Sequence, residues 1–315
     1  MYTKLVIIAV ICTLIADFVD NLYSMHSGNK KWIYLIILSL IWGSSFILIK
    51  KSLIGLTPLQ LGALRIIISG CFIFVFGFYT IKDVTKTQWK WLIISGLLGT
   101  FFPVFLFAYA ETEIDSVVAS ILNSLTPLNT ILLGFAIFKI ASTKRQIMGV
   151  IIGFIGTALL ILKGADLNPD QNYMYAGLVV ISSVMYGINV NIIKKHLQDV
   201  KAITIAVGNF VAIIIPAIIV LLFTDFFEKA DFSNDDFAMS MIYIVILSAF
   251  GTALAKVLFN KLVQMATPVF ASSVTYSMPL VALMWGILDG ENFSVLQALA
   301  TILILLGIYL ANKRN

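Results

Sequence analysis

The sequence contains ten long apolar stretches separated by short connections that hold most of the charged residues. Each stretch is long enough to cross about 30 Å of hydrocarbon as a helix, the shortest when flanking side chains reach to the interface. Transmembrane strands are shorter, roughly ten residues, and alternate in polarity, so helices are predicted. The stretches, called the first to tenth spans below, cover 32–49, 59–79, 91–110, 117–138, 147–162, 174–193, 203–223, 237–259, 269–288 and 295–310.

The composition excludes an ordinary soluble domain. The chain is 60% hydrophobic and 12% charged, whereas soluble domains are about one quarter charged. The net charge of +5 does not indicate nucleic-acid binding, because the basic residues lie in short loops and form no basic domain. The lipid bilayer is therefore the predicted partner of the apolar surface.

The chain offers few groups for metal or disulfide chemistry. It has two cysteines, Cys12 and Cys71, and two histidines, His26 and His196, all widely separated. This spacing gives neither a disulfide framework nor a paired-cysteine metal motif. We predict no metal site and no cofactor.

Lysine and arginine residues are divided unequally between alternate connections, which predicts the orientation. Short loops rich in these residues stay in the cytoplasm, so both ends of the ten-span body are predicted to be cytoplasmic and the acidic loop over 225–236 external. The rich set is Lys30, Lys31, Lys82, Lys86, Lys90, Lys139, Lys144, Arg145, Lys194, Lys195, Lys201, Lys261, Lys313 and Arg314; the poor set is Lys50, Lys51, Lys163 and Lys229.

Residues 1–29 form an N-terminal extension that does not fit the ten-span plan. The apolar run over 5–16 is short for a span and nearer the length of a signal-peptide core, yet no convincing cleavage site follows it. Two interpretations stay open: Met25 is the natural start, or the segment is a dispensable extra helix.

The chain matches itself at a shift of 152 residues. Gly99-Thr100 falls on Gly251-Thr252, and Pro127-Leu128 falls on Pro279-Leu280. The repeat units cover 30–163 and 174–311 and hold five spans each, so the second unit is predicted to be inverted in the membrane. Inverted repeats are typical of secondary transporters, which bind substrate near the membrane midplane between the halves.

Several motifs resemble those of the drug/metabolite transporter superfamily, EamA type. They are IWGSSF over 41–46, IKKSLIGLTPLQLGALR over 49–65, Thr126-Pro127, Met278-Pro279 and Gly290-Glu291. The resemblance implies an all-α membrane protein of ten helices in a 5+5 inverted repeat. Such carriers typically export small metabolites, amino acids or toxic compounds across a bacterial inner membrane. One departure is Lys139, which stands 152 positions before Glu291 where family members usually carry an acid.

Arg65 and Lys256 are the two charged residues inside the ten stretches. Charged residues at membrane depth usually face a cavity or a partner. Arg65 is interpreted either as a site residue or as an anchor between helices. Lys256 faces the cavity if its span continues toward Val263, and reaches the cytoplasmic interface if the span ends near Phe259.

Polar residues and prolines gather at equivalent places in the fourth and ninth spans, which is the best sequence indication of a carrier's site. The alternative is that serine and threonine there simply permit close helix packing. The predicted substrate-binding residues are Trp42, Ser45, Arg65, Asn123, Thr126, Pro127, Asn189, Lys256, Thr275, Tyr276 and Pro279.

Gly149, Gly153 and Gly156 form a small-residue face on the fifth span. Such a face suits helix packing or a homodimer contact. A homodimer through this face is therefore a hypothesis.

The predicted function is a secondary transporter for a small-molecule substrate that works by alternating access. The alternatives are an intramembrane enzyme and a non-transporting scaffold. The chain is predicted not to be an enzyme, because it lacks HExxH and GxSxG motifs and has no His, Asp or Glu inside the stretches. Because the stretches hold no Asp or Glu that could relay a proton, exchange or facilitated diffusion is preferred to proton coupling. If Arg65 or Lys256 points inward, an anionic or zwitterionic carboxylate substrate is expected.

Overall fold

The computed structural model describes residues 27–137, 172–291 and 295–312, together with separate positions between 144 and 159. The predictions for residues 1–26 and for Lys139 lie outside these residues. Within the described part, eight helices are long and apolar enough to cross a membrane, and they coincide with the predicted first to fourth and sixth to ninth spans. They are Lys30–Ser52, Pro58–Lys82, Lys86–Ala110, Ser116–Ala136, Tyr173–His196, Ala202–Leu222, Asp235–Met265 and Pro268–Leu288.

The fifth and tenth stretches are described less completely than the other eight. The described positions between 144 and 159 are helical, and the tenth stretch forms the helix Val295–Asn312. The ten-helix arrangement therefore stays a prediction, whereas an all-helical chain with eight candidate spans is what the described residues show.

Two helices begin at capping boxes that the sequence encodes directly. The side chain of Thr57 accepts a hydrogen bond from the backbone N–H of Gln60, whose side chain accepts from the Thr57 backbone N–H, at the start of Pro58–Gly77. Thr85 and Gln88 repeat the arrangement at the start of Lys86–Gly96. These caps satisfy N–H groups that would otherwise lack partners at the helix ends.

The third and eighth spans each contain a π-helical segment. The third consists of Lys86–Gly96, the π-helix Leu97–Phe101 and Phe102–Ala110. The eighth consists of Asp235–Ile246, the π-helix Leu247–Leu254 and Ala255–Met265. The two π-helices contain the Gly-Thr pairs that the 152-residue shift superposes. The repeat therefore extends to an uncommon detail of the backbone. Such π-helical turns often lie at functional sites.

The fourth and ninth spans are broken near their middle, as the prolines predict. The fourth consists of Ser116–Asn123 and Thr126–Ala136. The ninth consists of Pro268–Ser272, the 3-10 helix Ser273–Tyr276 and Met278–Leu288. Pro127 and Pro279 lie in the first turn of the second segments, where a missing N–H costs nothing.

The spans pack in pairs that join the two halves of the chain. The first and ninth spans run parallel, with Trp285 Nε1 donating to Ser44 Oγ at 2.9 Å. The fourth and sixth also run parallel, with Asn129 Nδ2 donating to Ser183 Oγ at 2.7 Å. The second and seventh run antiparallel, with Gly77 against Ile203. Each pair therefore joins a span of the first half to a span of the second.

The two ends of the bundle are distinguished by two lysines. At the Lys50 end, Lys50 forms an ion pair with Asp289 at 3.0 Å, and the Gly55 backbone N–H donates to Ser240 Oγ at 3.0 Å. At the opposite Lys194 end, Lys194 Nζ donates to the carbonyl oxygen of Ala266 at 2.9 Å. Each end therefore gathers alternate connections of the chain, as a bundle that crosses a membrane repeatedly requires.

The glycine face of the fifth stretch packs inside the chain. A Cβ added at Gly307 of the last helix would overlap the backbone of Gly153. A Cβ added at Gly156 would lie 2.9 Å from the backbone nitrogen of Ile304 and 3.1 Å from the carbonyl oxygen of Ala300. The homodimer through this face stays a prediction, and the described contacts of these glycines are with the tenth stretch and, at Gly153, with Leu128 of the fourth span.

Candidate functional site

A cavity of about 100 Å³ lies at the centre of the bundle. It is lined by residues of the first, second, third, fourth, sixth, eighth and ninth spans, so both halves of the chain contribute. Its volume fits a few water molecules or a small organic solute. The lining residues are Trp42, Ser45, Phe46, Ile49, Arg65, Gly99, Thr100, Val104, Phe107, Asn123, Thr126, Tyr186, Asn189, Val190, Gly251, Thr252, Lys256, Phe259, Ser272, Thr275 and Met278.

Most of the residues predicted from the sequence meet in this cavity. The eight that line it are Trp42, Ser45, Arg65, Asn123, Thr126, Asn189, Lys256 and Thr275. Pro127, Tyr276 and Pro279 are not among the lining residues, and their part in substrate binding stays a prediction. The two prolines begin helix segments, where their rings shape the backbone. The sequence marked the correct breaks but not which side chains turn inward.

Arg65 is held in the cavity wall by a hydrogen bond to the other half of the chain. Its Nε donates to Thr252 Oγ1 at 2.7 Å, and the residue is 9% exposed. Arg65 lies seven residues after Pro58, which places it about 10 Å from the helix start at 1.5 Å per residue. It faces the cavity, and its bond to Thr252 also ties the second span to the eighth.

Lys256 also faces the cavity, which settles the two interpretations of its position. The helix continues past the predicted end near Phe259 to Met265, so Lys256 lies about 13 Å from that end. Its Nζ donates to Thr100 Oγ1 at 3.0 Å and to the carbonyl oxygen of Gly99 at 3.1 Å. With 6% exposure, the side chain is buried and does not extend to the interface.

The two cations are bound by equivalent residues of the repeat. Thr100 and Thr252 are 152 positions apart; Thr252 accepts from Arg65 and Thr100 accepts from Lys256. The π-helical geometry of both segments brings these hydroxyl groups to the cavity. The third and eighth spans therefore make the same type of contact across the centre.

The glycines before these threonines allow close approach of the first and sixth spans. A Cβ added at Gly251 would lie 2.7 Å from Ser45 Oγ, and one added at Gly99 would overlap the side chain of Asn189. Trp42 Nε1 also donates to the carbonyl oxygen of Gly251 at 2.9 Å. The π segments thus expose carbonyl groups that indole and ammonium donors satisfy.

Aromatic rings form the apolar part of the wall. The ring of Trp42 lies 5.0 Å from that of Phe259, and Phe107 lies between Phe46 at 5.9 Å and Tyr186 at 6.2 Å. These separations are normal for packed aromatic pairs. The cavity therefore combines two cationic groups with a largely aromatic surface.

The polar residues of the broken spans have partly structural hydrogen bonds. Thr126 Oγ1 donates to the carbonyl oxygen of Asn123 at 2.8 Å, and Thr275 Oγ1 donates to that of Ser272 at 3.0 Å. These hydroxyl groups satisfy carbonyls that the breaks release. In the sixth span, Asn189 Oδ1 accepts from Ser95 Oγ at 2.7 Å, which anchors a side chain of the cavity wall.

Sequence reasoning missed Tyr186, although a signal for it was present. A shift of 144 residues superposes Trp42-Gly43 on Tyr186-Gly187 and Lys50-Lys51 on Lys194-Lys195. The first and sixth spans therefore also repeat, with a different offset from the 152 residues found elsewhere. Trp42 and Tyr186 both line the cavity.

Glu111 was missed because it lies just outside its apolar stretch. It follows Phe102–Ala110 directly and is 6% exposed. Its Oε2 accepts from Ser116 Oγ at 3.3 Å, while its Oε1 is buried without a hydrogen-bond partner in the described part of the chain. Because Glu111 lies outside the apolar stretches, the preference for exchange or facilitated diffusion over proton coupling took no account of its carboxylate.

The described residues contain no group of three or more His, Cys, Asp or Glu side chains arranged to hold a metal ion. The cavity lining likewise holds none of these residue types within the described ranges. The hydroxyl, amide, guanidinium and ammonium groups there suit hydrogen bonding to an organic solute.

Comparisons with known proteins match one family model and several transporters. The model of the EamA-like transporter family matches residues 30–162 and again residues 174–313. An uncharacterized transporter of Archaeoglobus fulgidus is 27% identical over 91% of this chain and 100% of its own length. The uncharacterized inner membrane transporter YedA of Escherichia coli K12 is 24% identical over 87% of this chain and 90% of its own.

A solved crystal structure supports the fold. It superposes with a TM-score of 0.64 at 18% sequence identity and covers 90% of this chain and 97% of its own. With eight apolar helices in the described ranges, the chain is a multi-span membrane protein.

Proposed function

Because this chain belongs to the EamA-like transporter family, we propose that it is a secondary transporter that exports small organic metabolites, such as amino-acid-like or toxic compounds. The observation that carries the proposal is the central cavity, to which both halves of the chain contribute side chains. A site shared by two halves can open to each side in turn when the halves rock against each other.

Reciprocal contacts support the 5+5 inverted repeat within this proposal. Gly43 of the first span packs against Val281 of the ninth, while Gly187 of the sixth packs against Asn129 of the fourth. Gly43 and Gly187 are 144 positions apart, and Asn129 and Val281 are 152 apart. The same contact is thus made twice, with the roles of the two halves exchanged.

The positions of the chain ends of the described spans support a fifth crossing. Asn191 lies near the Lys194 end of the sixth span, and its Nδ2 donates to the carbonyl oxygen of Thr130, in the second half of the fourth span, at 3.0 Å. The fourth span therefore ends toward the Lys194 end. The sixth span starts at the Lys50 end and finishes at His196. A chain that leaves one end and resumes at the other has to cross the membrane between them, which supports the predicted fifth span.

We place the protein in the bacterial inner membrane with the Lys194 end toward the cytoplasm. The E. coli relative is named an inner membrane transporter, and the lysine-rich connections belong to the Lys194 end. That the chain has no enzymatic activity stays a prediction, supported by its family.

The test compares metabolites in cells and media with and without the protein, using two matched tryptophan variants of the ninth span. Thr275 lines the cavity and is 6% exposed, whereas Leu280 is 67% exposed and directed away from the core. Thr275→Trp should abolish export by filling the cavity, and Leu280→Trp should leave it intact.

The proposal fails if no compound changes with the wild-type protein, or if Thr275→Trp behaves as wild type at equal membrane levels. Depletion of a compound from the medium with accumulation in the cells would reverse the direction and overturn the export part alone.

A further inference from the structure

We propose that the cavity selects a small carboxylate that carries no positive charge, with its carboxyl group bound by Arg65 and Lys256 and its apolar part against the Trp42–Phe259 wall. This inference rests on the proposed function and narrows its substrate class to carboxylates without an ammonium group, which leaves out amino acids themselves. It is carried by the charge, the hydrogen bonding and the aromatic surface of the cavity.

The charge of the cavity is unbalanced. Arg65 and Lys256 are 9% and 6% exposed, and neither forms an ion pair with an acidic side chain in the part of the chain that the structure describes. Glu111, the buried acid next to the third span, does not line the cavity. Buried charges without counterions are unfavourable, so an anion between them would be stabilised.

Hydrogen-bond donors remain for such an anion. Within the described residues, Arg65 uses Nε for Thr252 and its two Nη groups have no acceptor. Lys256 uses two of its three N–H groups, for Gly99 and Thr100. The planar guanidinium matches the two oxygens of a carboxylate, and charge-assisted bonds of this kind are among the strongest in proteins.

The remainder of the wall limits the size and nature of the rest of the ligand. The volume of about 100 Å³ fits only a small molecule. Trp42 and Phe259, with ring centroids 5.0 Å apart, present an apolar surface in the same cavity as the charged groups. A short aliphatic or aromatic group would be buried there by the hydrophobic effect.

An uncompensated positive cavity distinguishes anions from amino acids. A zwitterion has no net charge, so it would leave the charge of the cavity unchanged. Its ammonium group would find no carboxylate among the described lining residues. A carboxylate without an ammonium group lowers the net charge by one, so it is the better ligand.

Binding to the purified protein in detergent tests this selection by calorimetry. The probes are acetate, isobutyrate and benzoate, each paired with its uncharged amide, and phenylalanine as the zwitterion. At least one carboxylate should bind, and at least tenfold more tightly than its amide or phenylalanine. Equal binding of a carboxylate and its amide, tighter binding of phenylalanine, or no binding of any carboxylate would overturn the proposal.

Lys256→Gln and the control Lys261→Gln locate the effect. Glutamine at 256 keeps a donor for Gly99 but removes the charge, so carboxylate affinity should fall about 10- to 150-fold while amide affinity stays unchanged. Lys261 lies on the same helix, outside the cavity lining, and its variant should bind as wild type. Unchanged carboxylate affinity in Lys256→Gln would also overturn the proposal.

The proposed function has a separate outcome. If the metabolite comparison finds an exported compound that is uncharged or zwitterionic and depends on Thr275, transport stands and the carboxylate selection falls. If nothing is exported or imported, the transport proposal fails whatever the binding results are.

Discussion

Lys50 Nζ lies 2.8 Å from Glu291 Oε1, and this ion pair joins the end of the first span to the segment after the ninth. The Glu291 side chain is 2% exposed. Its oxygens also accept from the backbone N–H groups of Ser116 and Val117, each at 3.3 Å, at the start of the fourth span. One carboxylate therefore fastens three spans together at the Lys50 end, and it lies where a helix N-terminus favours negative charge.

Glu291→Gln should destabilise the protein by about 1–3 kcal/mol, the scale of losing a charged hydrogen-bond partner, with the lower part of the range preferred because Lys50 is partly solvated. The melting temperature in detergent should fall by several degrees. The exposed pair Lys229–Asp225, at 2.6 Å, provides the control. Asp225→Asn should change the melting temperature little, because exposed ion pairs contribute little to stability. Equal shifts in both variants would contradict the role given to Glu291.

Asp289 shares the same cluster, and its ionisation follows from its neighbours. Partial burial alone raises the pKa of its carboxyl group, but hydrogen bonds and charges of Lys51 and Lys50 outweigh this and hold the pKa below its usual range. Its contribution to stability is therefore present at neutral pH and is lost only as the pH falls through the lowered pKa.

Glu111→Gln should stabilise the protein at neutral and alkaline pH. Burial raises the pKa of Glu111 well above its ordinary value, and the charge of Glu291 adds to this, against the opposing effects of Ser116, Arg65 and Lys50. The folded protein thus binds a proton that the unfolded chain releases, so stability falls as the pH rises from the ordinary glutamate range through the raised pKa. Glutamine removes that loss.

Melting temperatures of wild type and Glu111→Gln between pH 4 and 9 check this sign. The two curves should meet at low pH and separate as the pH rises, with the variant above wild type. Glu113→Gln, two residues along the same turn, should show no such separation. A variant that is less stable than wild type at high pH would mean that Glu111 is ionised and stabilising.

The sequence predicted the spans well but their ends less accurately. The eighth stretch was placed at 237–259, directly before Asn260 and Lys261, yet the helix continues to Met265. Its polar residues there are held by other spans: Asn260 Nδ2, for example, donates to the carbonyl oxygen of Ala202 at 3.2 Å. Such contacts connect distant parts of the chain, so a local pattern does not reveal them.

The cavity lining was predicted in much of its polar part and, apart from Trp42, missed in its aromatic part. Arg65, Lys256 and Asn123 stood out because polar residues are rare in membrane spans. Phe107 and Tyr186 did not, because a ring that faces a cavity and a ring that faces lipid look alike in composition. The contacts of Lys256 with Gly99 and Thr100 depend on the π-helix Leu97–Phe101, which the sequence pattern does not predict.

Gly307→Ala should destabilise the protein because its methyl group would overlap the backbone of Gly153. Backbone cannot move aside as a flexible side chain can, so a loss of about 1–3 kcal/mol is expected. Gly177→Ala is the control, since a Cβ there meets nothing within 4 Å and alanine favours a helix. Thermal melting in detergent compares the two, and equal stability of both variants would contradict the packing of the last helix against Gly153.

Reporter fusions should place the connection over 225–236 outside and the connection after His196 inside. The contacts put the first at the Lys50 end, where a Cβ added at Gly55 would overlap the backbone of Asp236, and the second at the Lys194 end, where Gln264 Nε2 donates to the carbonyl oxygen of Val200 at 2.5 Å. Since lysine-rich connections stay in the cytoplasm, a phosphatase fused within 225–236 should be active and a fluorescent protein fused after residue 199 should fluoresce. If the reporters place both connections on the same side of the membrane, the alternation of spans on which the repeat depends is wrong. If they place 225–236 inside and the connection after His196 outside, the orientation is inverted and the fold is unchanged.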